Sequence, residues 1–175
     1  MAIFKYVDLN HCGLNPKSPN LICNEINYIL NDYKLLHNYW GGYNFLKTPD
    51  TQNIIMQFQT LRKIYNKDNY VAMRHFVLSF SPEFDDVTPY QAAQIAERVA
   101  WIFAGEYQVI YAVHENTENP HIHFLVNPIN IYTGKLLDMG KAAYKDLLFQ
   151  IHVILQCPSM NGKHKPIKLI NPGAY

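Results

Sequence analysis

Two hydrophobic periods divide this chain, one of three to four residues and one of two, and they predict different elements. IFKYVDL at the front reads as an opening strand, followed by the loop NHCGLNPKSPN, rich in Asn, Pro and Gly. Ile22, Ile26, Ile29, Leu30 and Tyr33 then recur at helical spacing, which assigns Tyr33 to the core. A less regular helical stretch covers about Ile54 to Tyr65, and RHFVLSF, aromatic and β-branched, is a strand. Thr88-Pro89-Tyr90-Gln91 is a capping box with proline at the first helical position, so a helix starts there and runs to about Phe103, where Gly105 ends it. QVIYAVH and HIHFLVN are two more strands, joined by the polar loop ENTENP, with Pro120 tolerable where a strand begins. Thr133-Gly134 marks a turn, and a last helix spans about Lys141 to Leu155. Four strands with interspersed helices predict an α+β domain built on a central antiparallel β-sheet with flanking helices.

Composition narrows the class. At 175 residues, 49% hydrophobic and 17% charged, the chain is expected to be one globular domain over 1–175, with residues 157–175 as a polar C-terminal tail. No apolar run reaches membrane-spanning length, and MAIFKYVDLN lacks the apolar core of a signal peptide. Cys12, Cys23 and Cys157 are odd in number with no C-x-x-C pair, which argues against a disulfide framework or a zinc ribbon. The expectation is a cytoplasmic protein without membrane insertion. Net charge is only +1, but its distribution is uneven. Asp32 to Arg74 holds six bases and three acids, Lys135 to Lys168 six lysines and two acids, and the stretch between Glu83 and Glu118 seven acids and one base. Two basic sectors flanking an acidic one are compatible with a phosphate-binding groove and equally with solvated surface charge.

Three of the eight histidines fall in HENTENPHIHFLVN. Strand side chains alternate faces, so His121 and His123 share one face while Ile122, Phe124 and Val126 take the other. His114 closes one strand as His121 opens the next, and in an antiparallel hairpin the two become cross-strand neighbours. Three imidazoles then converge, an arrangement suited to a divalent ion with open positions for substrate oxygens. Nitrogen ligands favour manganese, zinc, nickel or cobalt. Cellular abundance keeps magnesium, with manganese, the ion expected in function.

With Asn119-Pro120 before the histidine pair and Asn127 after it, this segment resembles the metal motif of plasmid and transposon relaxases, mobilisation nucleases of the HUH endonuclease superfamily. RHFVLSFSPE, NPINIYTGK and NEINYILNDYK resemble further segments of that group, in the family's order, across most of residues 2 to 136. The resemblance implies a relaxase-like fold and site- and strand-specific nicking of transfer-origin DNA. It also implies a covalent 5′-phosphotyrosine intermediate, later rejoining, single-stranded or origin DNA as substrate, and relaxosome accessory proteins as partners in a bacterial cytoplasm. Tyr28 matches the family's catalytic tyrosine, and at about 100° per residue it projects almost opposite the apolar stripe of its helix. His114, His121 and His123 match the metal ligands.

One departure is Asn116, where the common pattern has an acid two residues after the first histidine; Glu115 and Glu118 are the alternative carboxylates to orient a ligand imidazole, or are loop-surface acids, and Glu118 is the one that also matches an acidic position. Lys34, Arg74, His75 and Lys135 are candidate DNA contacts. Tyr39, Trp40, Tyr43 and Phe45, beside two glycines, offer base stacking or simply pack a loop on the core. Three other readings stay open. A rolling-circle replication initiator or single-tyrosine transposase would use Tyr144, a non-catalytic DNA-binding accessory domain would use neither tyrosine, and a zinc hydrolase would form no covalent adduct.

Overall fold

The computed structural model describes residues 2–7, 15–18, 20–81, 87–115, 120–157 and 168–170. In chain order these form β1 (Ala2–Tyr6), α1 (Asn20–Ile29), β2 (Leu35–Tyr43), α2 (Thr51–Ile64), β3 (Arg74–Phe80), α3 (Pro89–Ala104), β4 (Val109–His114), β5 (His121–Val126), α4 (Lys141–Gln156) and β6 (Leu169–Ile170). The sheet order is β2-β4-β5-β3-β1-β6. Its first five strands pair antiparallel, and the short β6 adds parallel to β1. The α+β architecture with a central antiparallel sheet is therefore as the patterning implies.

Each sheet face buries its own apolar layer. The alternation of β3, β4 and β5 sends Phe76, Leu78, Val109, Val113, Ile122, Phe124 and Val126 to one side, where α3 and α4 cover them with Val99, Phe103, Leu147 and Ile151. Ile110, Ala112 and Leu125 point the other way, beneath Ile22, Ile26 and Ile29 of α1 and Ile54 and Phe58 of α2. Burying one such phenylalanine or isoleucine contributes about 1.5–3 kcal/mol, so both layers hold the central strands firmly. Among the described residues, α2 and α3 start with a side-chain cap, and the one at Thr88 is as its sequence suggests. Asp50 accepts from the Gln52 amide, and Thr88 and Gln91 form the reciprocal capping box.

Two strands and one core assignment differ from the pattern reading. β2 contains YWGG, whose glycines look like loop residues. They sit in a strand because β4 passes too close for a side chain: a Cβ on Gly42 would collide with the Val109 carbonyl, and one on Gly41 with the Tyr111 ring. β6 is two residues long and held by partners far away in sequence, so it has no local pattern. Tyr33 is not core. α1 stops at Ile29, an Asn31 side-chain turn reverses the chain, and Tyr33 is left 96% exposed.

Candidate metal centre

The hairpin register brings the histidines together. His114 pairs directly with His121, and His123 follows two residues on, on the same face. Ring centroids are 5.4 Å apart for His114 and His121, 4.5 Å for His114 and His123, and 4.9 Å for His121 and His123. One ligand nitrogen from each lies within 4.8 Å of the others. The face they occupy is the one covered by α1, since Ala112 and Leu125, in step with them, pack in that layer.

Tautomers follow from the neighbours. His114 Nε2 lies 2.8 Å from the carbonyl oxygen of Ile29, the last residue of α1. A terminal helical carbonyl has no partner within its helix, and an oxygen only accepts, so Nε2–H donates and Nδ1 keeps its lone pair. His123 Nδ1 lies 2.8 Å from His75 Nε2, which leaves His123 Nε2 facing the cluster. His114 Nδ1 and His123 Nε2 are both buried without a hydrogen-bond partner. Such an atom normally costs about 1–3 kcal/mol. Two lone-pair nitrogens left bare in one cluster fit a bound cation, and imidazole nitrogens suit a first-row divalent ion.

Burial also keeps these rings neutral. It pushes His114 down to about 4, against the favourable hydrogen bond to Ile29 and with help from the fields of His121, Lys34 and His75. His123 is pushed down to about 2, chiefly by burial, then by His75, His114 and His121. Neutral imidazoles present the lone pairs a metal needs.

Tyr28 stands over this cluster. Its ring centroid is 6.1 Å from that of His114 and 5.5 Å from that of His123, and the residue is 42% exposed. The His114–Ile29 bond explains the placement, because it pins the end of α1 to β4 one residue after Tyr28. Lys34, on the turn that follows, puts its Nζ 3.7 Å from the Tyr28 ring centroid.

Other candidates fall elsewhere. Arg74 pairs with Val126, about 10 Å along the sheet from His123, and donates to the Tyr6 hydroxyl. Lys135 is exposed on the turn beyond the far end of β5. That turn is structural: Gly134 has φ +68°, and any Cβ there would strike the Tyr65 ring. Asn127 is fully buried and donates to the Phe58 carbonyl and the Gln108 side chain. Glu118, Asn116 and Asn119 lie outside the described residues. The aromatic run is an edge strand and its continuation: Tyr43 packs edge-on against Trp101, and Phe45 against Phe58.

His75 needs a correction. It is 5% exposed, with its ring against His123, and this burial takes it away from any phosphate contact. On its other side Glu25 Oε2 lies 2.7 Å from His75 Nδ1. The approach is off the N–H axis, a close polar contact rather than an aligned hydrogen bond. Glu25 is 8% exposed and was missed by pattern reading. A signal was available, since Glu25 lies on the buried stripe with Ile22, Ile26 and Ile29, where a carboxylate needs a partner.

Tyr144, the alternative nucleophile, packs with the layer beneath α3 and α4. The sheet separates it from the histidines, and burial raises its phenol above the ordinary value.

A family model described as "Relaxase: MobA/VirD2-like, nuclease domain" matches residues 28–153. Among curated proteins, the chain is 35% identical over 98 residues to the group II intron-interrupted relaxase LtrB of Lactococcus lactis subsp. cremoris, covering 55% of this chain and 16% of that protein. It is 31% identical over 90 residues to the protein rlx of Staphylococcus aureus, covering 51% of this chain and 27% of that one. The aligned stretch thus spans only about a quarter or less of either relative. A structure solved for the molecular basis of vancomycin resistance transfer in Staphylococcus aureus shares the fold, with a TM-score of 0.51 at 14% identity over 77% of this chain and 74% of that one.

Proposed function

The chain belongs to the MobA/VirD2-like relaxase nuclease-domain family, and from that premise we propose that it nicks one strand of transfer-origin DNA through Tyr28. The observation that carries this reading is the half-exposed Tyr28 ring set against His114 and His123. The Tyr28 hydroxyl gives up its proton as its oxygen attacks the scissile phosphorus and the bond to the 3′ oxygen breaks. The 5′ phosphate is then joined to the tyrosine, and the departing oxygen takes up a proton as a free 3′ hydroxyl. Because the phosphodiester energy is kept in the phosphotyrosine, a 3′ hydroxyl can reverse the step without a nucleotide cofactor.

His114, His121 and His123 would hold one divalent ion, manganese or magnesium, which when bound polarises the phosphoryl oxygens and offsets the charge that develops on them. Lys34 supplies a further positive charge where the attacking oxygen and the phosphate gather negative charge. The His114–Ile29 bond holds the nucleophile-bearing helix end on the strand that bears a ligand, so the two parts cannot drift independently. The substrate is single-stranded DNA, or origin DNA extruded at the nick region, with relaxosome accessory proteins as partners in a bacterial cytoplasm.

The test is covalent trapping. The protein is incubated with Mn2+ and single-stranded oligonucleotides covering candidate transfer origins, and the adduct is mapped by peptide mass. DNA on Tyr28, lost in Tyr28→Phe while folding and DNA binding persist, supports the reading. DNA on Tyr144 or Tyr33, or turnover without any adduct, overturns it.

A further inference from the structure

His114 has its second nitrogen on a backbone carbonyl, whereas that of His123 meets another side chain, His75. His75 Nε2 lies 2.8 Å from His123 Nδ1, and Glu25 Oε2 lies 2.7 Å from His75 Nδ1. All three residues are at least nine-tenths buried. They come from three elements, α1, β3 and β5, that only the tertiary fold joins. A buried carboxylate is costly unless a donor or cation meets it, and the described residues give Glu25 one close partner of that kind, His75.

The order of protons along this chain is determined by chemistry. A carboxylate only accepts, and although the 2.7 Å approach is off the N–H axis, its negative charge favours the proton on the His75 nitrogen facing it, Nδ1. In a neutral His75 the Nε2 is then an acceptor, and the proton between the two imidazoles belongs on His123 Nδ1. His123 Nε2 is left with its lone pair toward His114 and His121, and it is one of the buried nitrogens without a partner. Reversing any one of these protons would put an N–H, which cannot ligate, at the centre of the cluster.

We propose that Glu25 and His75 are positioning residues for His123, holding its ring and its tautomer so that Nε2 is the ligand nitrogen of the divalent site. This rests on the reading of the three histidines as a metal centre. Neither residue touches the ion or the DNA; both act through His123. Outer partners of this kind orient the imidazole and raise its basicity, and their loss typically weakens metal binding 10- to 100-fold.

The experiment uses the whole chain and Mn2+ alone, without DNA. Long-range 15N–1H correlation of the imidazoles in the metal-free wild type reads the tautomer of His123. Calorimetric titration reads Mn2+ affinity in the wild type, Glu25→Gln, His75→Phe and the double variant, with urea unfolding run on each. We expect His123 to carry its proton on Nδ1, and each single variant to lose about 10-fold or more in Mn2+ affinity. The double variant should be no weaker than His75→Phe, because Glu25 acts only through His75. A purely structural role would lower the unfolding midpoint of the variants and leave their Mn2+ affinity unchanged, and that result overturns the proposal. A wild-type His123 with its proton on Nε2 overturns it too, even if neither variant folds. If the wild type itself binds no Mn2+, the metal reading falls and takes this one with it. Wild-type affinity retained in folded variants removes only the positioning role.

Discussion

Lowering the pH of the metal-free protein from 7.5 to 5.5 should destabilise it by about 3 kcal/mol through His114 and His123 alone. Both histidines are held well below their ordinary 6.5, at about 4 and about 2, chiefly by burial. The unfolded chain therefore binds protons that the folded chain refuses, and acid favours unfolding. The stability at stake is fully present above 6.5. It is lost as pH falls, down to about 4 for His114 and to about 2 for His123. At pH 5.5, one unit below the unfolded value, each group costs about 1.4 kcal/mol. With a urea dependence of about 2 kcal/mol per molar, the midpoint should drop by roughly 1–2 M. Urea unfolding followed by circular dichroism in the presence of a chelator measures this directly. His123→Gln, which cannot titrate, should lose about half of the dependence. An equal change between the two pH values in wild type and variant would refute the reasoning.

Three other outcomes are expected. His121→Ala should leave the circular dichroism spectrum intact and weaken Mn2+ binding by at least about 10-fold in calorimetry; unchanged affinity would show the ligands to be wrongly assigned. Arg62 is 3% exposed and donates to the carbonyls of Lys67, Asp68, Tyr70 and Val71, so Arg62→Met should strip the α2–β3 connection of its partners. The expected loss is about 3 kcal/mol in urea unfolding, and a loss below about 1 kcal/mol would count against that role. Single-stranded DNA affinity should fall as salt rises, and Lys34→Ala should make the log–log slope shallower by about 0.7; an unchanged slope would place Lys34 away from the phosphates.

What could be read along the chain was whatever depends on near neighbours. Period-two alternation in HIHFLVN puts His121 and His123 on one face wherever the strand is placed, and a short loop between two strands brings His114 beside them. The capping box at Thr88 needs only four consecutive residues, and the structure contains it as read. The off-stripe position of Tyr28 is likewise a property of one helix.

Tertiary packing decided the rest. The approach of β4 makes a strand of the glycines in β2, and the Asn31 turn puts Tyr33 in solvent although its spacing continues the apolar stripe. The side of the sheet covered by α4 takes Tyr144 away from the histidines. The largest share is the Glu25–His75–His123 chain, whose members lie 50 and 48 positions apart in sequence. Local spacing shows that a carboxylate on the buried stripe of α1 needs a partner, but not which residue supplies it. A buried acid on α1 and a histidine on β3 each look like ordinary exceptions to an apolar pattern until the sheet and helix layers place them within hydrogen-bond distance, where low dielectric makes an unpaired charge costly and a paired one specific.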